Sequence, residues 1–336
     1  MGRIVYCDDS MPGLSRKKIG RAWGYFDAAG NRITDRDEID RLNAIGLPPA
    51  YRDAWFCPKA NGHIQAIGWD EKGRKQYRYH ADFRAKQELA KYEGCARFGQ
   101  KLPKLRARVE ADLNLRKLSR ERAVAAVVRL LDLGHIRVGN EGYARTNTSF
   151  GATTLRCRHA KVEGSKLKLK FRAKSGKEKV MSVTDRSLSR FVKTCHDLPG
   201  QHLFQWLDEE GEPHPVSSSD VNEYIREAMD DEFTAKHFRT WGASVLAFEA
   251  LVTADKDIGI KAMLEPVTEA LGNTPAIARK SYVHPLLVEI AKSGDQTALR
   301  SRPLPRATQH LSRVERGLIA LLDGAPKEKR ELKLAA

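Results

Sequence analysis

The sequence predicts an α+β protein of two domains: a small antiparallel β domain over residues 1–90, then a mainly α-helical domain over residues 91–336 with a β-hairpin insertion. Three observations predict it. The chain has 336 residues, more than one hydrophobic core usually covers. Residues 20–80 read as short alternating runs separated by turn dipeptides, which is the signature of hairpins. From about Ala81 the apolar spacing changes to that of amphipathic helices.

Asp53–Pro58 is a short apolar-polar run, and Asn61-Gly62 after it predicts a hairpin turn. His63–Trp69 alternates, with Ile64 and Ala66 on one side and Gln65, Ile67 and Trp69 on the other. Asp70-Glu71-Lys72-Gly73 turns the chain again. Gln76–His80 returns as a strand, with Tyr77 and Tyr79 on one face and Gln76, Arg78 and His80 on the other. Arg84–Tyr92 and Leu105–Leu115 predict charged helices. Arg120–Leu133 sets Val124, Val127, Val128 and Leu131 at helical spacing, so one stripe is buried. The β insertion follows: Gly151–Arg156 and Lys166–Arg172 alternate, and Ser175-Gly176 turns the chain into Glu178–Val183. Helices resume at Ser187–Cys195, Ser219–Met229, Trp241–Leu251 and Lys256–Leu271. A last helix carries Leu311, Val314, Leu318 and Leu321 on one stripe, and Pro326–Ala336 is expected to fray.

Hydrophobic residues make up 41% of the chain, enough for packed cores. Lys and Arg outnumber Asp and Glu by 59 to 43, a formal charge of +16. That excess points to a polyanion as partner, because neutralised phosphates release condensed counterions. The five cysteines are odd in number and widely spaced, with no CxxC. This argues against a disulfide framework or zinc site and places the chain in a reducing cytoplasm, with the nucleoid if the source is bacterial. No apolar run approaches the ~18 residues that span a bilayer, so no membrane role is expected. The N-terminus lacks a signal-peptide apolar core, and its Gly2 is only a weak myristoylation start. There is no GxxxxGK[ST] loop, and Asp8-Asp9 and Asp230-Asp231-Glu232 read as helix-start or surface charges. Neither a nucleotide, another small-molecule cofactor nor a metal is expected.

Five residues carry the chemistry: Arg137, Lys174, Arg239, Asn273 and Tyr282. A phenol has a pKa near ~10, so it attacks a phosphodiester usefully only where cations stabilise phenolate and transition state. Arg137, in Gly134-His135-Ile136-Arg137-Val138-Gly139-Asn140, and Arg239, in Lys236-His237-Phe238-Arg239-Thr240-Trp241, offer permanently charged planar forks to two phosphate oxygens. Lys174 sits in the hairpin turn Phe171-Arg172-Ala173-Lys174-Ser175-Gly176-Lys177. From there it can reach a neighbouring groove and, with its pKa lowered by burial and nearby arginines, protonate a leaving oxygen. Asn273 lies nine positions before Tyr282. Singly these residues read as surface cations, a packed tyrosine and a helix C-cap; their combined spacing singles them out.

Arg137 in its Ile-Arg-Val-Gly-Asn setting, Ala235-Lys236-x-Phe238-Arg239-Thr240, and Asn273 nine before Tyr282 together resemble a type IB DNA topoisomerase of the compact bacterial and poxvirus-like branch. The resemblance covers nearly the whole chain. Gly73-Arg74-Lys75-Gln76-Tyr77-Arg78-Tyr79 is similar to that branch's N-terminal DNA-contacting strand, and Gly151-x-Thr153-Thr154-Leu155-Arg156 and the Lys174 hairpin follow in the expected order.

The resemblance implies the tyrosine recombinase/topoisomerase IB-like fold. It implies that Tyr282 attacks the scissile phosphate to give a 3′-phosphotyrosine and a 5′-hydroxyl. Arg137, Arg239 and Asn273 would hold the nonbridging oxygens, and Lys174 would act as general acid, assisted by Lys236 or Arg137. The poxvirus and eukaryotic members carry histidine where this chain has Asn273, which donates a hydrogen bond without carrying charge. Gln76, Tyr77, Tyr79, Asn140 and Tyr143 would contact DNA. Supercoils of either sign would relax without ATP inside a monomer that closes as a clamp on double-stranded DNA. Two other readings stay open. A site-specific tyrosine recombinase shares this chemistry but usually carries His where Lys236 stands, and an α-helical N-terminal domain. A non-enzymatic basic DNA-binding protein would account for the charge alone.

Overall fold

The computed structural model describes residues 3–294 and 296–324. The expected frayed tail, Pro326–Ala336, lies outside the described residues. The chain divides between Lys91 and Tyr92 into two compact units. Among the described residues, no helix is long and apolar enough to cross a membrane.

In the first unit, β1 (Leu14–Ile19) and β2 (Ala22–Phe26) form a hairpin and α1 (Arg36–Ala44) follows. Strands β3 (Arg52–Phe56), β4 (Ile64–Trp69) and β5 (Lys75–Tyr79) complete one antiparallel sheet in the order β2-β1-β3-β4-β5. Helix α1 corrects the reading of residues 20–80 as mostly β. Its start is local: Asp35 accepts from the Asp37 amide, and Asp37 and Glu38 lie in the first turn, where the helix dipole favours negative charge. Its Leu42 clusters with Tyr25, Phe56 and Ala66, so the helix covers apolar surface of the sheet. Strand β4 does not alternate between core and solvent. Ile64, Ala66 and Ile67 are all buried, and Gln65 beside them donates to the carbonyls of Ala60 and Gly62 at 3.0 and 2.7 Å.

Asn61-Gly62 does not make the expected two-residue turn, since neither residue has positive φ. The N-terminal segment holds this link instead. Val5 donates to the Asn61 carbonyl at 3.0 Å and accepts from the His63 amide at 2.8 Å.

Helix α2 (Ala81–Leu113) is continuous where the sequence suggested two helices. Pro103 removes one donor inside it. The buried stripe Phe98, Leu102, Leu105 and Val109 runs on across that position and carries the helix through. Helix α3 (Arg120–Gly134) is buried nearly all round, from Ala123 to Val128 and at Leu130 and Leu131, and not on one stripe alone. It is the central element of the second unit.

Around α3 lie α4 (Glu141–Asn147), the antiparallel sheet β6 (Ala160–Glu163), β7 (Lys166–Arg172) and β8 (Glu178–Thr184), α5 (Arg186–His196) and the small pair β9 (Gln205–Leu207) and β10 (Pro213–Pro215). Then come α6 (Ser218–Met229), α7 (Ala235–Thr253), α8 (Ile260–Leu271), α9 (Pro275–Ser281), α10 (Pro285–Ser293), α11 (Thr297–Arg300) and α12 (Arg313–Asp323). Gly151–Arg156 is not a strand: it holds a single tight helical turn at Ala152–Thr154. Asp230 and Asp231 start no helix. Asp230 ends α6 in the left-handed region, and Asp231 pairs with Arg97 and Lys101.

A buried ion network ties α2, α3 and α12 together. Arg106 donates to Asp132 at 2.8 and 2.9 Å and to Glu315 at 3.1 and 2.7 Å, and Trp241 donates to Glu315 at 3.3 Å. Burial opposes the charge on Arg106, but the two carboxylates raise its pKa above the ordinary guanidinium value. Arg106→Met is expected to destabilise the protein by about 3–5 kcal/mol, because two buried carboxylates lose their counter-charge. Urea unfolding of the full chain measures it.

Burial opposes the charge on Glu315 too, yet Arg106 holds its carboxyl below the ordinary 4.5. A depressed carboxylate stabilises the fold fully above its unfolded value and loses that contribution as pH falls through its lower folded value. Acid unfolding of the parent is therefore expected to begin below about pH 4.5, and this component should be absent from Glu315→Gln.

Candidate active site

Arg137 leaves the end of α3 on a backbone held from both sides. His135 caps α3 in the left-handed region (φ 50), its amide bonded to the Leu131 carbonyl at 3.1 Å. The chain then runs extended against Gly151-Ala152-Thr153. Ala152 donates to the Arg137 carbonyl at 2.9 Å, and Thr153 donates to the Val138 carbonyl at 2.7 Å through its amide and 3.0 Å through its hydroxyl. A side chain at Gly151 would put Cβ 2.6 Å from the Arg137 carbonyl oxygen. This close approach explains the alternating look of Gly151–Arg156: its first residues spend their hydrogen bonds on the Arg137 segment and not on a sheet. Gly151→Ala is expected to lower cleavage about 100-fold by displacing Arg137, measured as single-turnover strand cleavage alongside thermal unfolding.

Arg239 lies in the second turn of α7 and is 4% exposed. Its Nη1 donates to the His135 carbonyl at 2.5 Å and its Nη2 to the Leu271 carbonyl at 3.2 Å. Its guanidinium carbon sits 4.8 Å from the centre of the Tyr282 ring. The buried Nε–H has no well-aligned acceptor in the protein, and Arg239 also hydrogen-bonds to Tyr282. Burial, then the charge of Arg137, lowers the Arg239 pKa.

The tyrosine arrives through a short chain of caps. Gly272 ends α8 in the left-handed region (φ 68), where a side chain would be strained. Thr274 caps α9 by accepting from the Ile277 amide, Pro275 occupies the first turn, and Tyr282 follows the last turn with its amide on the Ala278 carbonyl at 3.0 Å. Asn273, between the two helices, accepts from Arg137 Nη2 at 3.3 Å. Its buried amide nitrogen has no well-aligned acceptor in the protein.

Burial works against a Tyr282 phenolate. The charges of Arg239 and Arg137 and hydrogen bonding from Arg239 and Asn273 outweigh it, so the phenol pKa is lowered. Ultraviolet titration of the free protein is expected to show a tyrosine ionising below the ordinary value near ~10, and to lose it in Tyr282→Phe. Cleavage should accelerate with rising pH through the same ionisation.

Lys174 is exposed at the tip of the β7–β8 hairpin, where Ser175 (φ 67) and Gly176 (φ 74) reverse the chain. It lines one pocket with Arg137, Lys179 and Arg239, and no carboxylate is among the lining residues. A pocket whose charged lining is wholly cationic suits an anion, although Lys179 spends its ammonium on the Glu269 and Ala270 carbonyls. Sequence reasoning missed Lys179. Burial, then the charge of Arg239, lowers the Lys179 pKa. A signal existed: in β8, Lys179 occupies the inward register of Met181 and Val183, while Val180 faces out and is 66% exposed.

The other site candidates are placed as follows. Lys236 is exposed in the first turn of α7 and does not line the pocket. Asn140 caps α4 by accepting from the Tyr143 amide at 3.1 Å, and Tyr143 is 52% exposed. In the first unit, Tyr77 and Tyr79 stack on one exposed face with ring centres 5.9 Å apart. Gln76 points the other way and donates to Asp70 at 3.0 Å.

The family model described as eukaryotic DNA topoisomerase I, catalytic core, matches residues 80–279, and that of the bacterial DNA topoisomerase IB N-terminal domain matches residues 22–70. The chain is similar to DNA topoisomerase 1B of Acanthamoeba polyphaga mimivirus, 31% identical over 300 residues, which is 85% of this chain and 89% of that protein. It is similar to DNA topoisomerase 1B of Vaccinia virus (strain Copenhagen), 22% identical over 72% of this chain and 76% of that protein. It is also similar to DNA topoisomerase 1 of Mycosarcoma maydis, 25% identical over 61% of this chain but only 22% of that longer protein. With a family model over more than half its length and a relative that shares 31% identity along nearly all of it, the chain belongs to the type IB DNA topoisomerases, a family of isomerases.

Proposed function

We propose that this chain relaxes supercoiled duplex DNA of either sign by cutting one strand, letting the duplex rotate about the other, and resealing the cut. The observation that carries this reading is the buried Arg239 guanidinium 4.8 Å from the Tyr282 ring, with Arg137 bonded to Asn273, at the edge of a pocket whose charged lining residues are all cations. In the forward step, a bond forms between Tyr282 Oη and phosphorus while the P–O5′ bond breaks. The phenol proton passes to water, and a proton from Lys174 Nζ neutralises the departing 5′ oxygen. Arg137, Arg239 and the Asn273 amide hold the nonbridging oxygens as charge builds on them. The 3′-phosphotyrosine keeps the bond energy, so resealing reverses the step and consumes no nucleotide. Fixed guanidinium and ammonium groups supply the charge stabilisation, so no metal is required.

Residues 91–336 act as the catalytic domain, with Asn140 and Tyr143 contacting DNA near Arg137. Residues 1–90 add a second DNA surface through Gln76, Tyr77 and Tyr79, and the monomer closes on the duplex as a clamp. The five free thiols accord with work in a reducing cytoplasm.

Supercoiled plasmid with the protein, a chelator and no nucleotide tests the reading. Stepwise relaxation is expected, and quenching with denaturant should leave protein on the 3′ end at the cut. Absence of an adduct would refute it, and strand exchange confined to cognate sites would make the protein a recombinase. Binding of Tyr282→Phe to a short duplex should weaken steeply with salt, with a log–log slope of about −4 or steeper, as several phosphates shed counterions. Fluorescence anisotropy across a salt series measures it, and a flat response would contradict the clamp.

A further inference from the structure

The last four carbonyls of a helix lack partners within it. In α8 each finds one. Thr268 accepts from the Gly272 amide at 2.9 Å. Leu271 accepts from Arg239 at 3.2 Å. Lys179 Nζ takes the two between them, Ala270 at 2.7 Å and Glu269 at 3.2 Å. Lys179 reaches them from β8, five residues past Lys174 and across the hairpin tip. Its ammonium also faces the negative end of the α8 dipole. The next two residues of the chain are Gly272 and Asn273, and α9 leads from there to Tyr282.

The cost of this arrangement is visible in β8. A strand with one buried face wants apolar residues inward and polar residues outward. Here the pair Lys179-Val180 is reversed, so a lysine is desolvated and a valine is left in solvent. Local breaches of that pattern concentrate at functional positions. Phe171 and Ala173 of this hairpin also line the same space as Ala270 and Leu271.

We propose that Lys179 is a positioning residue: it docks the β7–β8 hairpin on the carboxyl end of α8 and so sets where the Lys174 ammonium meets the phosphate held by Arg137 and Arg239. The inference rests on the proposed roles of Lys174 and Tyr282. Lys179 itself touches neither reacting atom. Its loss lets the hairpin tip drift from the leaving oxygen while the nucleophile and the arginines stay in place.

The test is single-turnover cleavage of a duplex at a mapped site, with either the normal 5′ oxygen or a bridging 5′ sulfur as leaving atom. A thiolate departs without a proton donor, because thiols ionise near ~8.5 and alcohols far higher. On the oxygen substrate, Lys179→Met is expected to cleave about 10- to 100-fold slower than the parent, the scale of a small misplacement. On the sulfur substrate it should cleave within about threefold of the parent, a margin far below what loss of a general acid costs. That rescue also shows the variant is folded. Lys179→Arg should regain part of the rate, since a guanidinium can reach the same carbonyls. Lys174→Ala/Lys179→Met should be no slower than Lys174→Ala.

If sulfur rescues Lys174→Ala but not Lys179→Met, or if the double variant multiplies the two losses, the positioning role fails and the general-acid reading survives. Parent-like cleavage of the oxygen substrate by Lys179→Met has the same meaning. If sulfur does not rescue Lys174→Ala, the general-acid reading falls and takes this inference with it.

Discussion

A Tyr282→Phe variant is expected to bind supercoiled plasmid and leave it supercoiled, with relaxation lowered at least about 10⁴-fold, the scale seen when a covalent nucleophile is deleted. The substitution removes one oxygen and little packing. The ring remains under the Arg239 guanidinium, which keeps its attraction to the aromatic face. Stability and DNA affinity should therefore change little, which separates loss of chemistry from loss of fold. A denaturant quench on end-labelled duplex should trap parent protein on the 3′ fragment and trap none of the variant. Relaxation by Tyr282→Phe at the parent rate would remove Tyr282 from the mechanism.

Arg239→Ala is expected to slow cleavage by about 10²- to 10³-fold, as for other preorganised donors. The argument is geometric. One side chain meets the His135 carbonyl, the Leu271 carbonyl and the Tyr282 ring. Without it, burial of Tyr282 is opposed by Arg137 and Asn273 alone, so the phenol pKa rises relative to the parent. With the phenolate as the proposed attacking form, the pH dependence of the residual rate should shift to higher pH. Arg239→Lys should remain impaired by about tenfold or more, because one ammonium nitrogen cannot reproduce a planar fork whose separate nitrogens reach the His135 and Leu271 carbonyls. Equal rates in the parent and Arg239→Ala would show that this guanidinium is structural only.

Much of the fold was legible along the chain because it is carried by neighbours in sequence. The β5 strand with Tyr77 and Tyr79 on one face, the β7–β8 hairpin and the helices α3, α5, α6 and α12 each announce themselves by period and turn chemistry. The misreadings share a cause. Asn61-Gly62 turns differently because Val5, more than fifty residues away, takes its backbone hydrogen bonds. Gly151–Arg156 mimics a strand because its partners are the carbonyls of Arg137 and Val138. Helix α2 passes Pro103 because its apolar stripe is buried on both sides of it. Helix α1, in contrast, carried a readable N-cap at Asp35 that the surrounding β pattern masked.

The proposed nucleophile, the cations and their order are properties of the chain as written, since side-chain chemistry and spacing do not depend on folding. The resemblance to the family was read from them, and the family-model match and the mimivirus relative showed membership. What the folded molecule alone supplies is proximity. Arg137, Lys174, Arg239 and Asn273 come from four separate elements, and only packing sets Arg239 against the Tyr282 ring and Lys179 on the end of α8. Desolvation and Coulomb energy depend on distance and burial, and both are created when segments far apart in sequence are brought together.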